Sequence, residues 1–260
     1  MNIGIMQGRL SEPTHNHIQE FPEDWEKELL ILQELGFAGV EWLITKKCCL
    51  LENPILKETQ KVALYPITSV CLDVLVDEKI ICKDYLADHL ESLCHVMMES
   101  SPFRNITIPL LEKSDMRNNK KREEFKILMG KIGKKYPDIE FSFEAELEVK
   151  KLEEIVSLCN NFYVTYDTGN VTSCGFNHKE YINFFADRIN NVHLKDRTFD
   201  AKTVKPMTGD TDFRLIFNIL KNVGYNKPFI LQTAREELGK ERETMLQHKK
   251  IFEELYENGV

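Results

Sequence analysis

The chain has 260 residues, of which 42% are hydrophobic and 29% charged, and it carries a formal net charge of -8. That is the make-up of an ordinary globular chain, and about 250 residues is the usual size of one β/α barrel rather than of two small domains. The negative total counts against broad binding to nucleic-acid backbones or anionic membranes, so neither is expected as a partner.

The opening MNIGIMQGRL has no basic stretch leading into a long apolar run, so no signal peptide is expected. No run of about 18 apolar residues occurs, which counts against a membrane span. The seven cysteines, Cys48, Cys49, Cys71, Cys82, Cys94, Cys159 and Cys174, are irregularly spaced with no C-x-x-C pair. Reduced thiols in a cytoplasmic protein are the expectation.

Short runs of β-branched and aromatic residues alternate with longer stretches of helical period. The first strand is expected at Ile3–Met6, then a helix over Asp24–Leu35 closed by Gly36. A second strand at Gly39–Trp42 precedes a helix around Leu56–Leu64. A third, Ile67–Leu72, leads into a helix over Asp84–Met98. The fourth, Asn105–Pro109, is followed by a helix at Glu123–Lys135 and a stop at Tyr136-Pro137. Glu140–Glu144 and the helix Val149–Cys159 come next, then Phe162–Tyr166 with Lys179–Ala186. Asn190–Leu194 pairs with the helix Thr211–Val223, whose start has an N-cap candidate in Gly209-Asp210-Thr211-Asp212. Phe229–Leu231 and Lys240–Tyr256 close the series. Eight strands, each followed by a helix, predict a single α/β domain over 1–260, a (β/α)8 barrel.

Active sites of such barrels lie at the carboxyl ends of the strands. Those ends read Gln7-Gly8-Arg9, Glu41, Cys71 and Asp73, then Glu112 after the fourth strand, Glu144, Asp167, His193 and Gln232. FSFEAEL and TYDTGN each end an apolar strand on a carboxylate, which is costly unless paired or bound to a cation. NNVHLKDR adds an imidazole. Glu144, Asp167 and His193 with an amide oxygen from Gln232 suit Mn²⁺, Mg²⁺ or Co²⁺, and Zn²⁺ also takes such ligands.

The segments GIMQGRLS, IQEFP, LGFAGVEW, ENP, SFEAEL, TYDTGN, VHLKDR, TGDTDF and FILQTAR resemble the sugar isomerase/epimerase superfamily. This superfamily has a xylose isomerase-like barrel and includes ketose 3-epimerases, hydroxypyruvate isomerase, inosose dehydratase and endonuclease IV. The likeness spans nearly the whole chain, and GIMQGRLS with IQEFP and ENP is similar to a group of sugar-phosphate isomerases/epimerases that accompany surface-polysaccharide pathways. It implies a metal held by Glu144, Asp167 and His193 and by a fourth residue that is a glutamate in the epimerases. That position is Gln232, whose amide oxygen coordinates but takes no proton, a departure that counts against the epimerases' paired-glutamate mechanism. The substrate-binding histidine three residues after the aspartate is replaced by Asn170. One ligand-positioned histidine and a negative net charge set endonuclease IV chemistry aside.

The expected activity is metal-dependent proton transfer on a sugar or sugar phosphate through an enediolate. Glu144 is the expected base, with Glu112 or Glu41 as a second base on the opposite face; Glu41 is equally readable as a carboxylate that stabilises the barrel mouth, and Glu112 is more readily a solvated side chain. Arg9, Glu41, Asn170, Lys195, Arg197 and Arg235 are expected to contact substrate, with structural ion pairing the alternative for Arg9, for Arg235 and, through the adjacent Asp196, for Lys195. Asp210 and Asp212 would repel a phosphate in their loop. Alternatives are a dehydratase acting on a polyol ketone and a non-catalytic carbohydrate-binding relative. The expected partner is a small carbohydrate, with a homo-oligomer open. His15 and His17 are expected in solvent, Trp25 and Trp42 in the core, Cys48 and Cys49 as structural thiols, and His89, His95, His178 and His248 without a role.

Overall fold

A computed structural model describes residues 1–14, 19–80 and 89–258, without the side chain of Ser100. His15, His17, Cys82 and the start of the helix expected from Asp84 lie outside the described residues. The chain forms β1 (Ile3–Met6), α1 (Trp25–Glu34), β2 (Val40–Leu43), α2 (Pro54–Lys57), α3 (Thr59–Val62), β3 (Ile67–Cys71) and α4 (Val74–Asp77). It continues through α5 (Glu91–Ser100), β4 (Asn105–Leu110), α6 (Asn119–Lys135), β5 (Glu140–Ala145), α7 (Val149–Val156), β6 (Phe162–Asp167), α8 (Thr168–Ser173) and α9 (His178–Phe185). The last part is β7 (Ile189–Leu194), β8 (Asp196–Arg197), β9 (Thr203–Val204), α10 (Phe213–Asn222), β10 (Phe229–Leu231) and α11 (Glu241–Asn258). Strands β1-β10-β7-β6-β5-β4-β3-β2 close a barrel in that order, and β8-β9 form a separate two-stranded sheet. The expected (β/α)8 architecture is the observed one.

The contacts group Met1–Glu41 with Thr165–Val260 as one unit and Trp42–Val164 as another. In the first, β1 runs parallel to β10, with Ile5 opposite Leu231, and to β2, with Met6 opposite Glu41. β10 runs parallel to β7, with Ile230 opposite His193. The interior is aromatic. Phe213, Phe217, Phe229, Phe252 and Tyr256 meet edge to face or tilted, with ring centroids 4.9 to 6.2 Å apart. The periodicity of α10 produces this: Phe213, Ile216, Phe217 and Leu220 share one stripe. Asp212 caps the helix by accepting from the Leu215 N–H at 3.0 Å, and Gly224 ends it at φ 71°.

In the second unit, β3 to β6 pair in sequence, in parallel register. Along β5, Phe143 packs edge to face with Phe125 of α6 and with Phe162 of β6 at 5.7 and 5.1 Å. Alternation in FSFEA therefore turns Ser142 and Glu144 to the other face, where Ser142 Oγ donates to Asn105 Oδ1 at 2.7 Å. The buried Arg122 of α6 is neutralised by Glu154 at 2.9 Å and donates to the Met116 carbonyl.

Several boundaries differ from expectation. The helix expected over Leu56–Leu64 is split into α2 and α3 at Glu58, and the one expected to reach Cys159 stops at Val156. Three elements carry too little pattern to read: α4, α8 and the β8-β9 pair. α8 (TGNVTS) is poor in helix formers, but Asp167 accepts from the Asn170 N–H and the Thr172 hydroxyl donates to the Thr168 carbonyl, both at 2.8 Å.

Candidate active site and metal centre

The sites read from the strand ends fall into a few buried clusters. Glu41 of β2 and His193 of β7 are both fully buried, and Glu41 Oε2 lies 2.7 Å from His193 Nε2. The other carboxylate oxygen accepts from Asn191 Nδ2 at 3.1 Å. Asn191 stands two residues before His193, so both project from one face of β7. Taking a carboxylate and an imidazole out of water together costs far less than burying either alone.

Asp167 does two things at once. One oxygen caps α8, and the other lies 2.7 Å from Lys195 Nζ. Lys195 was expected to face Asp196 as well. Instead Asp196 accepts from the backbone N–H groups of Thr208 and Gly209 at 3.1 and 2.9 Å and pins the TGDTDF loop. The Lys195 main chain is fixed by Thr168, whose hydroxyl accepts its N–H at 3.0 Å and donates to its carbonyl at 2.7 Å.

Glu144 is buried near the end of β5, and Gln232 is buried just after β10. Gln232 donates its backbone N–H to the Leu194 carbonyl at 3.1 Å, yet its side-chain Oε1 has no hydrogen-bond partner among the described residues. The donor atoms of Glu144, Asp167 and His193 lie within 4.8 Å of one another. Two carboxylates and an imidazole at that spacing fit a divalent cation that prefers oxygen and nitrogen.

The remaining expected residues sit elsewhere. Glu112 is exposed, in a 3-10 turn at φ 44°, and is not in the donor cluster. Arg9 is buried and donates to the Thr233 carbonyl at 2.8 Å. Arg235 donates to the carbonyls of Gly8 and Ser11 at 2.7 and 3.1 Å, and so braces the loop after β1. Gly8, at φ 84°, leaves no room there: a Cβ would sit 2.0 Å from the Glu20 carbonyl oxygen. Glu28 of α1 holds the same loop by accepting from the N–H groups of Gly8 and Leu10, both at 2.9 Å, and burial pushes its carboxyl up from the ordinary range. Arg197 donates to Ser173 Oγ at 3.3 Å, and Asn170 is buried on α8.

Trp25 and Trp42 are core residues, and Trp42 Nε1 donates to Asn53 Oδ1 at 2.7 Å. Burial pushes the Cys48 thiol up to about 11, which keeps it protonated at neutral pH. Cys48, Cys49, Cys71, Cys94, Cys159 and Cys174 are free thiols. No helix among the described residues is long and apolar enough to cross a membrane.

Sequence reading missed Asn191, Thr168 and His178. The alternation in INNVHL was the available signal for Asn191; the other two show up only through their contacts. His178 Nδ1 lies 2.5 Å from Tyr166 Oη and Nε2 3.1 Å from Thr172 Oγ1, behind Asp167. Burial lowers its pKa to about 4. The unfolded chain therefore binds a proton near pH 6.5 that the folded chain refuses until about pH 4. The stability is fully present above pH 6.5 and is lost as pH falls towards 4, by up to about 3 kcal/mol. Urea denaturation between pH 7.5 and 4 is expected to show this slope, and His178→Gln is expected to flatten it.

No family model matches the sequence, and neither does any curated protein. Solved structures do match in fold. An L-ribulose 3-epimerase structure superposes with a TM-score of 0.74 at 14% identity, covering 99% of this chain and 95% of its own. A 3-keto-D-glucoside 4-epimerase from E. coli, YcjR, gives 0.67 at 16% identity over 96% and 99%. The probable 3-DHS dehydratase AsbF from Bacillus anthracis gives 0.70 at 12% identity over 97% and 99%. The chain has the fold of the xylose isomerase-like (β/α)8 barrels.

Proposed function

We propose that the protein is a divalent-metal-dependent isomerase or epimerase acting on a sugar or sugar phosphate through an enediolate. One observation carries this reading: the donor atoms of Glu144, Asp167 and His193 fall within 4.8 Å of one another, on a fold shared with sugar epimerases. Glu144, Asp167, His193 and the amide oxygen of Gln232 would hold the ion, with Mn²⁺, Mg²⁺ or Co²⁺ favoured over Zn²⁺. When bound, it supplies Lewis-acid polarisation of a substrate carbonyl and electrostatic stabilisation of the adjacent negative charge.

The protein's own groups do the rest. Glu144 removes the proton from the hydroxyl-bearing carbon beside the carbonyl and returns it to the former carbonyl carbon, while the hydroxyl proton passes to the former carbonyl oxygen, a single-base 1,2-isomerisation. Gln232 takes no proton, Glu41 is engaged with His193 and Asn191, and Glu112 is exposed, so none of these three serves as an opposing second base. Lys195, beside Asp167, is the cation placed to hold an anionic substituent or the substrate's hydroxyls. Arg9 and Arg235, spent on backbone carbonyls, support the surrounding loops instead. Reduced thiols and a small carbohydrate as substrate fit a cytoplasmic enzyme.

The likeness to a probable dehydratase supports a second reading, in which the same enediolate expels a β-hydroxyl. Protein stripped with chelator, reloaded with Mn²⁺ and incubated in D₂O with a panel of aldoses, ketoses and their phosphates separates the two. Deuterium beside the carbonyl without loss of water is the expected result; loss of water supports the dehydratase. Failure to retain Mn²⁺ at millimolar concentration, with no exchange into any sugar, leaves only a non-catalytic carbohydrate-binding protein.

A further inference from the structure

Glu41 was expected to touch substrate or to act as a base, yet its surroundings are those of a group that acts on a neighbouring side chain. It is fully buried, one oxygen lies 2.7 Å from His193 Nε2, and the other is held by Asn191 Nδ2 at 3.1 Å. Asn191 and His193 project from the same face of β7, so the strand that presents the imidazole also carries the residue that fixes the carboxylate beside it. Ile230 of β10 lies opposite His193 and Met6 of β1 opposite Glu41, so regular strand pairing sets the spacing.

We propose that Glu41, clamped by Asn191, is the positioning residue for His193: it accepts the Nε2 proton and so leaves the Nδ1 lone pair as the ligand for a divalent cation. The chemistry is that of a carboxylate–histidine–metal relay. An imidazole has two tautomers, and only the ring nitrogen without a proton can coordinate. A buried carboxylate at Nε2 selects the Nε2–H form, restrains ring rotation and makes the other nitrogen a better donor. Asn191 matters because an unclamped carboxylate could turn away from the ring. It also explains the retention of a fully buried glutamate in a strand whose other buried side chains, Val40, Trp42 and Leu43, are apolar.

This inference rests on the metal-dependent reading, and two measurements separate the failure of each. ¹⁵N NMR of histidine-labelled, metal-free protein reads the tautomer of His193, assigned by comparison with His193→Gln. The expected wild-type spectrum has a protonated Nε2 and an unprotonated Nδ1. Mn²⁺ titration by calorimetry reads affinity. Glu41→Ala is expected to mix the tautomers and weaken Mn²⁺ binding by about 10- to 100-fold. Glu41→Gln, which keeps an acceptor oxygen at the same reach, is expected to restore the tautomer and recover part of the affinity. Should Glu41→Ala fail to fold, Asn191→Ala tests the clamp, with a loss in the same direction.

A wild-type His193 protonated on Nδ1, or a folded Glu41→Ala that binds Mn²⁺ as the wild type does, overturns the positioning role and leaves the metal site standing. Wild-type protein that binds no Mn²⁺ overturns the metal reading, and the tautomer in the metal-free protein then decides the role of Glu41 alone.

Discussion

Glu144→Gln is expected to slow solvent-deuterium exchange into the substrate by about 10²- to 10⁴-fold, the usual contribution of one positioned base. The amide has nearly the volume of the carboxylate and keeps an oxygen donor, so packing on the Ser142 face of β5 is preserved while the proton acceptor is lost. Because Glu144 belongs to the donor cluster with Asp167 and His193, the change also removes one unit of charge from the cation site. The two effects are separated by measuring exchange by NMR at saturating Mn²⁺, where weaker binding no longer limits the rate. Exchange unchanged under those conditions removes Glu144 as the base, whatever becomes of the metal.

The second large effect is expected from Gln232→Glu, which puts a carboxylate at the fourth position of the proposed metal centre. Without metal, the new charge is buried at a position where the side-chain oxygen has no hydrogen-bond partner among the described residues, and an uncompensated buried charge costs about 3–5 kcal/mol. Urea denaturation in EDTA is expected to show that loss. With Mn²⁺ the sign reverses. A unit charge within 4 Å of a cation gains about 4 kcal/mol at an effective dielectric near 20, well above the about 1.4 kcal/mol of a tenfold change in affinity. Mn²⁺ affinity is therefore expected to rise at least about tenfold, and added metal to restore stability by mass action. A variant that loses stability in EDTA and gains nothing from Mn²⁺ places Gln232 outside the metal centre.

The same glutamine shows how far one side chain can alter a shared fold's chemistry. A barrel with two opposed glutamates can pass a proton from one face of a carbon to the other. Here Gln232 Oε1 is buried without a hydrogen-bond partner among the described residues, a costly arrangement unless something accepts its lone pairs. A cation meets that need, as does a donated hydrogen bond from a sugar hydroxyl. An amide at this position offers a coordinating oxygen and no base, which favours the proposed single-base isomerisation over a two-base epimerisation.

Much of the architecture was legible in the order of residues. All eight barrel strands are at or within a residue or two of where β-branched and aromatic runs placed them, because a barrel strand, with helices on one face and packed side chains on the other, must be apolar and short. Asp24 and Asp212 were readable as helix starts and Gly36 and Gly224 as helix ends, because caps are local chemistry. Glu144, Asp167 and His193 stood out as polar endings on apolar strands. α8 and the β8-β9 pair did not: α8 is held by side-chain-to-backbone bonds that leave no periodic trace, and strands of two residues are too short for alternation to show.

What the sequence by itself determined was which residues reach the carboxyl ends of the strands, since strand position and alternation are local properties of the chain. Which of those residues act together was decided by the tertiary structure alone. Glu41 and Asn191 are 150 positions apart, yet strand pairing sets their side chains 3.1 Å from one another. Lys195 pairs with Asp167 rather than with its neighbour Asp196, because Asp196 is taken up by the backbone of the following loop. Partner choice between charged groups depends on distance and burial in three dimensions, and neither is written in spacing along the chain.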